Sequence, residues 1–138
     1  MTYVVDASVA VKWLLPEALS EAALRLLDGG DELLAPEMLM IEAANVLWRK
    51  AARRELTANE ARRALALLVE SALDLRPARP LAMRALELAQ ALEHPVYDCL
   101  YLSLAERERA TLVSADDRLL AAVRRRRLKI SVQSLAEV

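Results

Sequence analysis

The sequence predicts an α/β fold built on a parallel sheet that helices cover on both faces. Three observations lead there. Short β-like runs such as Tyr3-Val4-Val5 and Thr111-Leu112-Val113 alternate with stretches of helical periodicity, the pattern of a parallel sheet covered on both faces. Only two glycines and five prolines occur in 138 residues, which favours long helices and few elaborate turns. The hydrophobic fraction is 56%, dominated by alanine and leucine, which excludes a disordered chain. The length suits one domain, residues 1–138. A chain of ~150 residues buries roughly 70% of its unfolded surface, so its core needs neither disulfide nor metal. Phenylalanine is absent and aromatics make up 4%, so that core must be aliphatic.

Residues 2–6 read as a short strand that stops at Asp6. A helix follows at once through Val9-Ala10-Val11-Lys12-Trp13-Leu14 and ends before Pro16, because the residue before a proline is pushed out of the α region. A second helix over 17–28 carries Ala18, Leu19, Ala22, Ala23, Leu26 and Leu27 at helical spacing. Gly29-Gly30 closes it. Residues 32–35 form a second strand, and Pro36 opens a long helix over about 37–54. Thr57-Ala58-Asn59-Glu60 is a capping box that starts a helix reaching about Ser71. Residues 72–76 read as a third strand, and 80–92 as a helix. The helix from Val96 or Tyr97 to Arg109 is apolar on most faces and therefore largely buried. A fourth strand at 111–114, a helix at 116–126 and a fifth strand at 128–132 complete the chain.

Charge and cysteine content narrow the function. A net charge of −1 and a pI of 5.9 argue against a nucleic-acid binder that uses its whole surface. A local patch remains open: Arg124-Arg125-Arg126-Arg127, followed by Lys129, reads either as a solvated helix end or as a phosphate contact. Cys99 is alone, so no internal disulfide forms, and its apolar neighbours make it a core residue. With His94 as the only histidine, one Cys and one His cannot assemble a zinc site. No basic leader precedes the first apolar run, which Asp6 and Lys12 interrupt, and no stretch of ~20 uncharged apolar residues exists. Neither a signal peptide nor a membrane span is expected, and a cytoplasmic location is.

Four acids stand where apolar or element-ending sequence makes a carboxylate look out of place: Asp6, Glu42, Asp98 and Asp116. Ligands in open parallel sheets bind beyond the carboxyl ends of the strands, where Asp6 and Asp116 fall. Each also has a structural explanation. Asp6 could cap the helix that starts at Ala7, and Ser114 with Asp117 resembles a capping box that leaves Asp116 in a first helical turn. Asp98 lies in the first turn of its helix, a place that suits an acid, but its neighbours point to a buried helix start. Glu42 sits among Met38-Leu39-Met40-Ile41 and Ala43-Ala44, with Asn45 one turn on, which reads as a polar notch in an apolar helix or as a stripe between packed faces. Ser8 could turn its hydroxyl toward the same site, and Asp117 could assist Asp116. Four such carboxylates brought together call for a hard divalent cation and suit phosphodiester hydrolysis.

The segments VVDASVAVKW, IEAANVLWR, YDCLYLSLA and LVSADDRL, in this order, resemble the PIN-domain ribonucleases, most closely the VapC-type toxins of bacterial toxin–antitoxin pairs. The resemblance spans essentially the whole chain. It implies a PIN-like three-layer α/β/α sandwich with a five-stranded parallel sheet. It implies that Asp6, Glu42, Asp98 and Asp116 form the catalytic metal site for Mg²⁺ or Mn²⁺, with Ser8, Asn45 and Asp117 in support. It further implies an endoribonuclease toxin that leaves a 5′-phosphate and a 3′-hydroxyl, acts on RNA, and forms a homodimer. It also implies an antitoxin whose C-terminal segment lies over the early helices. Val11, Leu14, Leu15, Leu39, Leu47 and Trp48 are the candidates for the groove that accepts it.

Two other readings compete. An aspartyl-phosphate phosphatase using Asp6 as nucleophile needs a second aspartate two residues on, where this chain has Ser8. A PIN-fold binding or scaffold protein would keep the fold without cleaving.

Overall fold

The computed structural model describes residues 1–138. Five strands, β1 (Thr2–Val5), β2 (Glu32–Pro36), β3 (Asp74–Arg76), β4 (Thr111–Ser114) and β5 (Val132–Ser134), form one parallel sheet in the order β3-β2-β1-β4-β5. Seven α-helices connect and cover them: α1 (Ala7–Leu14), α2 (Ser20–Asp28), α3 (Met38–Ala52), α4 (Ala58–Val69), α5 (Ala82–Leu92), α6 (Val96–Glu108) and α7 (Asp117–Arg125). The result is the expected three-layer α/β/α sandwich.

The layers follow from which side chains need cover. Every residue of α6 from Cys99 to Ala105 is buried, because the helix lies against β1, β2 and β4 on one side and α5 on the other. Its weak amphipathicity is therefore the mark of a central element. α1 packs on α2, α3 and α4, and its Val9, Ala10 and Val11 join the aliphatic core. Thr57 and Glu60 form the expected capping box at the start of α4, with both reciprocal bonds at 3.0 Å.

The strand order places a crevice at one end of the sheet. The chain runs from β1 outward to β2 and β3, then returns to the other side of β1 for β4 and β5. The direction of winding reverses between β1 and β4, which pair through Val5 and Val113. The loops leaving these two neighbours diverge, and a crevice opens at their carboxyl ends.

Three expected boundaries shift, each for a local reason. The second helix starts at Ser20, not at 17, because the Ser20 hydroxyl donates to the Leu15 carbonyl and accepts from Glu17 N–H, both at 2.9 Å, tying 15–20 into a turn. Pro36 ends β2 instead of opening α3: it pairs with Arg76, and the following Glu37 N–H donates to the Arg76 carbonyl at 2.8 Å. The fifth strand is Val132–Ser134, not 128–132. Arg127 reverses the chain with φ 54°, so Leu128 to Ser131 serve as the return path. Ile130 buries itself there without pairing.

Candidate metal centre

Asp6 follows β1 and caps α1, with its backbone extended and its side chain almost fully buried. Both carboxylate oxygens are used. Oδ1 accepts from the Ser8 hydroxyl at 2.5 Å and from Val9 N–H at 3.2 Å; Oδ2 accepts from the Ser114 hydroxyl. Ser8 Oγ also accepts from Ala115 N–H at 3.1 Å, and Ser114 Oγ from Asp116 N–H at 2.9 Å. Two serines thus stitch the loop after β1 to the loop after β4 and hold Asp6 in one orientation.

Asp116 is itself the N-cap of α7. Its Oδ1 accepts from Arg118 N–H at 3.0 Å and Leu119 N–H at 3.3 Å. This corrects the expected capping box: Ser114 serves Asp6 instead, and Asp117 is an exposed first-turn residue outside the cleft. Glu42, half-buried on α3, accepts from the Tyr101 hydroxyl at 3.0 Å. Asp98, in the first turn of α6, lies 2.6 Å from His94 Nε2.

Asp6, Ser8, Glu42, Asp98 and Asp116 line one cleft of about 280 Å³ at the switch point. Asn45 does not join them. It is exposed, and Val46 lines the cleft in its place. Residues i+3 and i+4 flank residue i on opposite sides of the helix face, and the cleft lies on the i+4 side of Glu42. Three residues beyond the predicted set matter. Ser114 and Tyr101 anchor Asp6 and Glu42. The tightest group of potential ligand atoms is His94, Asp98 and Asp116, all within 4.8 Å of one another. His94 stands four residues before Asp98, a spacing that gains meaning only once the chain turns at Pro95 into α6.

The electrostatics point one way. Burial lifts the Asp6 carboxyl to about 6; the hydrogen bonds from Ser114, Ser8 and Val9 oppose this, and the Asp98 charge adds to it. Glu42 is raised as well, by burial first and then by the charges of Asp98 and Asp6, against the bond from Tyr101. Burial and the Glu42 charge push the Tyr101 phenol far upward, so it stays a donor. The one ammonium in the cleft, Lys12, is already paired with Glu17 at 3.0 Å. Clustered carboxylates with raised affinity for a positive charge fit a hard divalent cation, and oxygen donors with a single nitrogen suit Mg²⁺ and Mn²⁺.

The burial of Asp6 predicts a pH dependence for the metal-free protein. Asp6 moves from 3.8 to about 6 on folding, so between these values the folded state holds a proton the unfolded chain releases. Stability from this group is full below pH 3.8 and is lost as pH rises through about 6. A gap of that size corresponds to about 3 kcal/mol. Thermal melts in chelator should show a decline over that range that is flattened in Asp6→Asn, whose melting temperature at pH 7 should exceed the wild type's. Parallel curves for the two proteins would refute the assignment.

A protein-family model described as PIN domain matches residues 3–125. Ribonuclease VapC3 of Pyrobaculum aerophilum is 35% identical over 121 residues, which cover 86% of this chain and 92% of that protein. Among solved structures, PAE2754 of Pyrobaculum aerophilum superposes with a TM-score of 0.75 at 23% identity, over 99% of this chain and 85% of that one. The VapBC2 structure from Rickettsia felis, bound to a DNA fragment from its promoter, gives 0.70 at 16% identity, over 97% and 98%. These structural likenesses carry the fold, and the family model with the 35% identical relative carries the kinship: the chain belongs to the PIN domain family.

Proposed function

We propose that this protein is a metal-dependent endoribonuclease and the toxin of a toxin–antitoxin pair. The observation that carries the reading is the convergence of Asp6, Glu42, Asp98 and Asp116 on one cleft at the sheet's switch point. Support comes from the relative named as a VapC ribonuclease and from fold neighbours solved as VapBC complexes. For the homodimer that the resemblance implies, the exposed Met83 and Leu86, one turn apart on α5, are candidates at the seam.

The four carboxylates would hold Mg²⁺ or Mn²⁺, which when bound supplies an activated water and charge neutralisation at the scissile phosphate. The chain's own residues prepare that site. Ser8 and Ser114 fix Asp6 through both of its oxygens, and Tyr101 fixes Glu42. His94 holds one oxygen of Asp98 and leaves the other free. Val11 and Val46 supply an apolar side to the cleft. Ser8 stands where a phosphatase using Asp6 needs a second aspartate as general acid, which disfavours that alternative.

The test is cleavage of RNA by purified, partner-free protein with added Mg²⁺ or Mn²⁺ and its arrest by chelator. Cys99→Ser should leave the rate unchanged, since burial and then the neighbouring Asp98 charge lift the thiol to about 11 and keep it protonated. Activity that survives chelator or needs Cys99 would sink the reading. His94→Ala should lower the rate about 10- to 100-fold, the usual effect of losing a partner that orients a metal-binding carboxylate. An unchanged rate and unchanged Mn²⁺ affinity in that variant would remove His94 from the site.

A further inference from the structure

A second cleft, about 540 Å³, adjoins the acidic one, and Asp98 and Asp116 line both. Its other polar walls are Glu93, His94, Arg118 and Arg125. The two arginines stand on one face of α7, separated by two helical turns, or about 10 Å. Ala121 and Ala122 line the cleft between them. Neither guanidinium is in an ion pair, although carboxylates share the cleft, and Glu93 is engaged at 3.7 Å by Arg126 instead. In a chain of net charge −1, two unneutralised arginines beside a cluster of acids form a local field of opposite sign.

We propose that this arginine-lined cleft is the subsite for the RNA strand flanking the scissile bond, with Arg118 and Arg125 each taking a backbone phosphate. The inference rests on the nuclease reading and extends it to one direction of the strand. The acids at the shared edge repel phosphate, so a strand approaching them needs cationic anchors close by. Arg118 and Arg125 are the side chains that supply such anchors in the cleft continuous with the acids. Arginine suits the task because its planar fork matches a phosphate and its charge does not titrate. Contacts to the backbone alone position a strand without reading its sequence.

The experiment is fluorescence anisotropy of a labelled single-stranded RNA oligonucleotide, in chelator to prevent cleavage, across a salt series. Arg118→Gln/Arg125→Gln should weaken binding about tenfold and lower the salt slope by about 0.7 for each phosphate that is no longer held. Arg63→Gln/Arg107→Gln removes the same charge from α4 and from the far end of α6, and should change neither. Mn²⁺ affinity by calorimetry should match the wild type in both variants, which shows that fold and acids are intact. The multiple-turnover KM for RNA should rise in the first variant more than kcat falls. Equal RNA affinity and slope in wild type and Arg118→Gln/Arg125→Gln, as expected if the cleft holds an acidic protein segment instead, overturns the proposal. So does an equal loss in the control variant, which would mark a general charge effect. If the wild type cleaves RNA and the cleft variant cleaves it equally well, only this inference falls. If the wild type neither binds nor cleaves RNA, the nuclease reading falls with it.

Discussion

Asp98→Asn is expected to abolish RNA cleavage, by more than about 100-fold, while melting at or above the wild-type temperature. The rate bound follows by comparison. Losing a residue that only orients a ligand typically costs 10- to 100-fold, and Asp98 is proposed as a ligand itself. The stability gain follows from charge. The Asp98 carboxylate raises the proton affinity of both Asp6 and Glu42, so its removal relieves repulsion that the metal-free fold must bear. The amide keeps an oxygen for His94, so the start of α6 should stay in place. A third readout ties the two effects together. Mn²⁺ at about 100 times its Kd should stabilise the wild type by roughly 2.7 kcal/mol, and Asp98→Asn should lose most of that shift. A variant that cleaves normally, or that gains as much from Mn²⁺ as the wild type, would remove Asp98 from the metal site.

The acids were legible in the sequence because each breaks a local pattern. Asp6 and Asp116 end apolar strands, and Glu42 and Asp98 interrupt apolar helices, so their oddity shows without tertiary information. Their supports were harder to see. Asn45 looked correct at one turn from Glu42, but the choice between i+3 and i+4 depends on which side of α3 the sheet leaves open, and the structure selects Val46. His94 lies before α6, on the far side of Pro95, and its four-residue spacing from Asp98 carries no helical meaning until the chain is seen to turn there. Ser114 seemed committed to the cap of α7, yet its neighbour across the sheet is the loop after β1, and Asp6 takes its hydroxyl. The fifth strand was misplaced because Leu128, Ile130 and Val132 alternate as a strand does. A connection that must cross the edge of the core can show the same alternation.

Exposure of α3 was the other quantity that sequence pattern could not divide. Of the apolar residues expected to line a partner groove, Val11, Leu39 and Leu47 are buried in the protein itself, whereas Trp48 is 65% exposed. The groove that remains, about 240 Å³, lies between α3 and α4 and is lined by Ala44, Leu47, Trp48, Ala51 and Leu65 among others, with Arg62 its only charged wall. Glu42 and Val46 face the acidic cleft, while Ala44, Leu47, Trp48 and Ala51 follow the helical i, i+3, i+4, i+7 pattern on another face. One helix therefore serves both surfaces, and a segment seated in the groove would lie close to the acids.

Expression of the chain alone is accordingly expected to arrest growth, and co-expression of its cognate antitoxin to restore it. The partner surface we propose is this apolar groove between α3 and α4, and its mostly hydrophobic lining suits the apolar face of an amphipathic helix. Trp48 is the natural anchor, since it is exposed in the groove and tryptophan is among the residue types enriched at binding hot spots. Trp48→Ala should weaken the complex by about 2–4 kcal/mol, or roughly 30- to 700-fold. Cleavage by the free protein should be unaffected, because Trp48 lies outside the acidic cleft. The variant should then remain toxic when the antitoxin is present at levels that silence the wild type. Co-purification, growth curves and RNA cleavage measured together separate the possibilities. A Trp48→Ala protein inhibited as well as the wild type would move the partner off this groove. A chain that is harmless alone, and whose adjacent gene product neither binds nor inhibits it, would end the toxin assignment even where purified protein still cuts RNA.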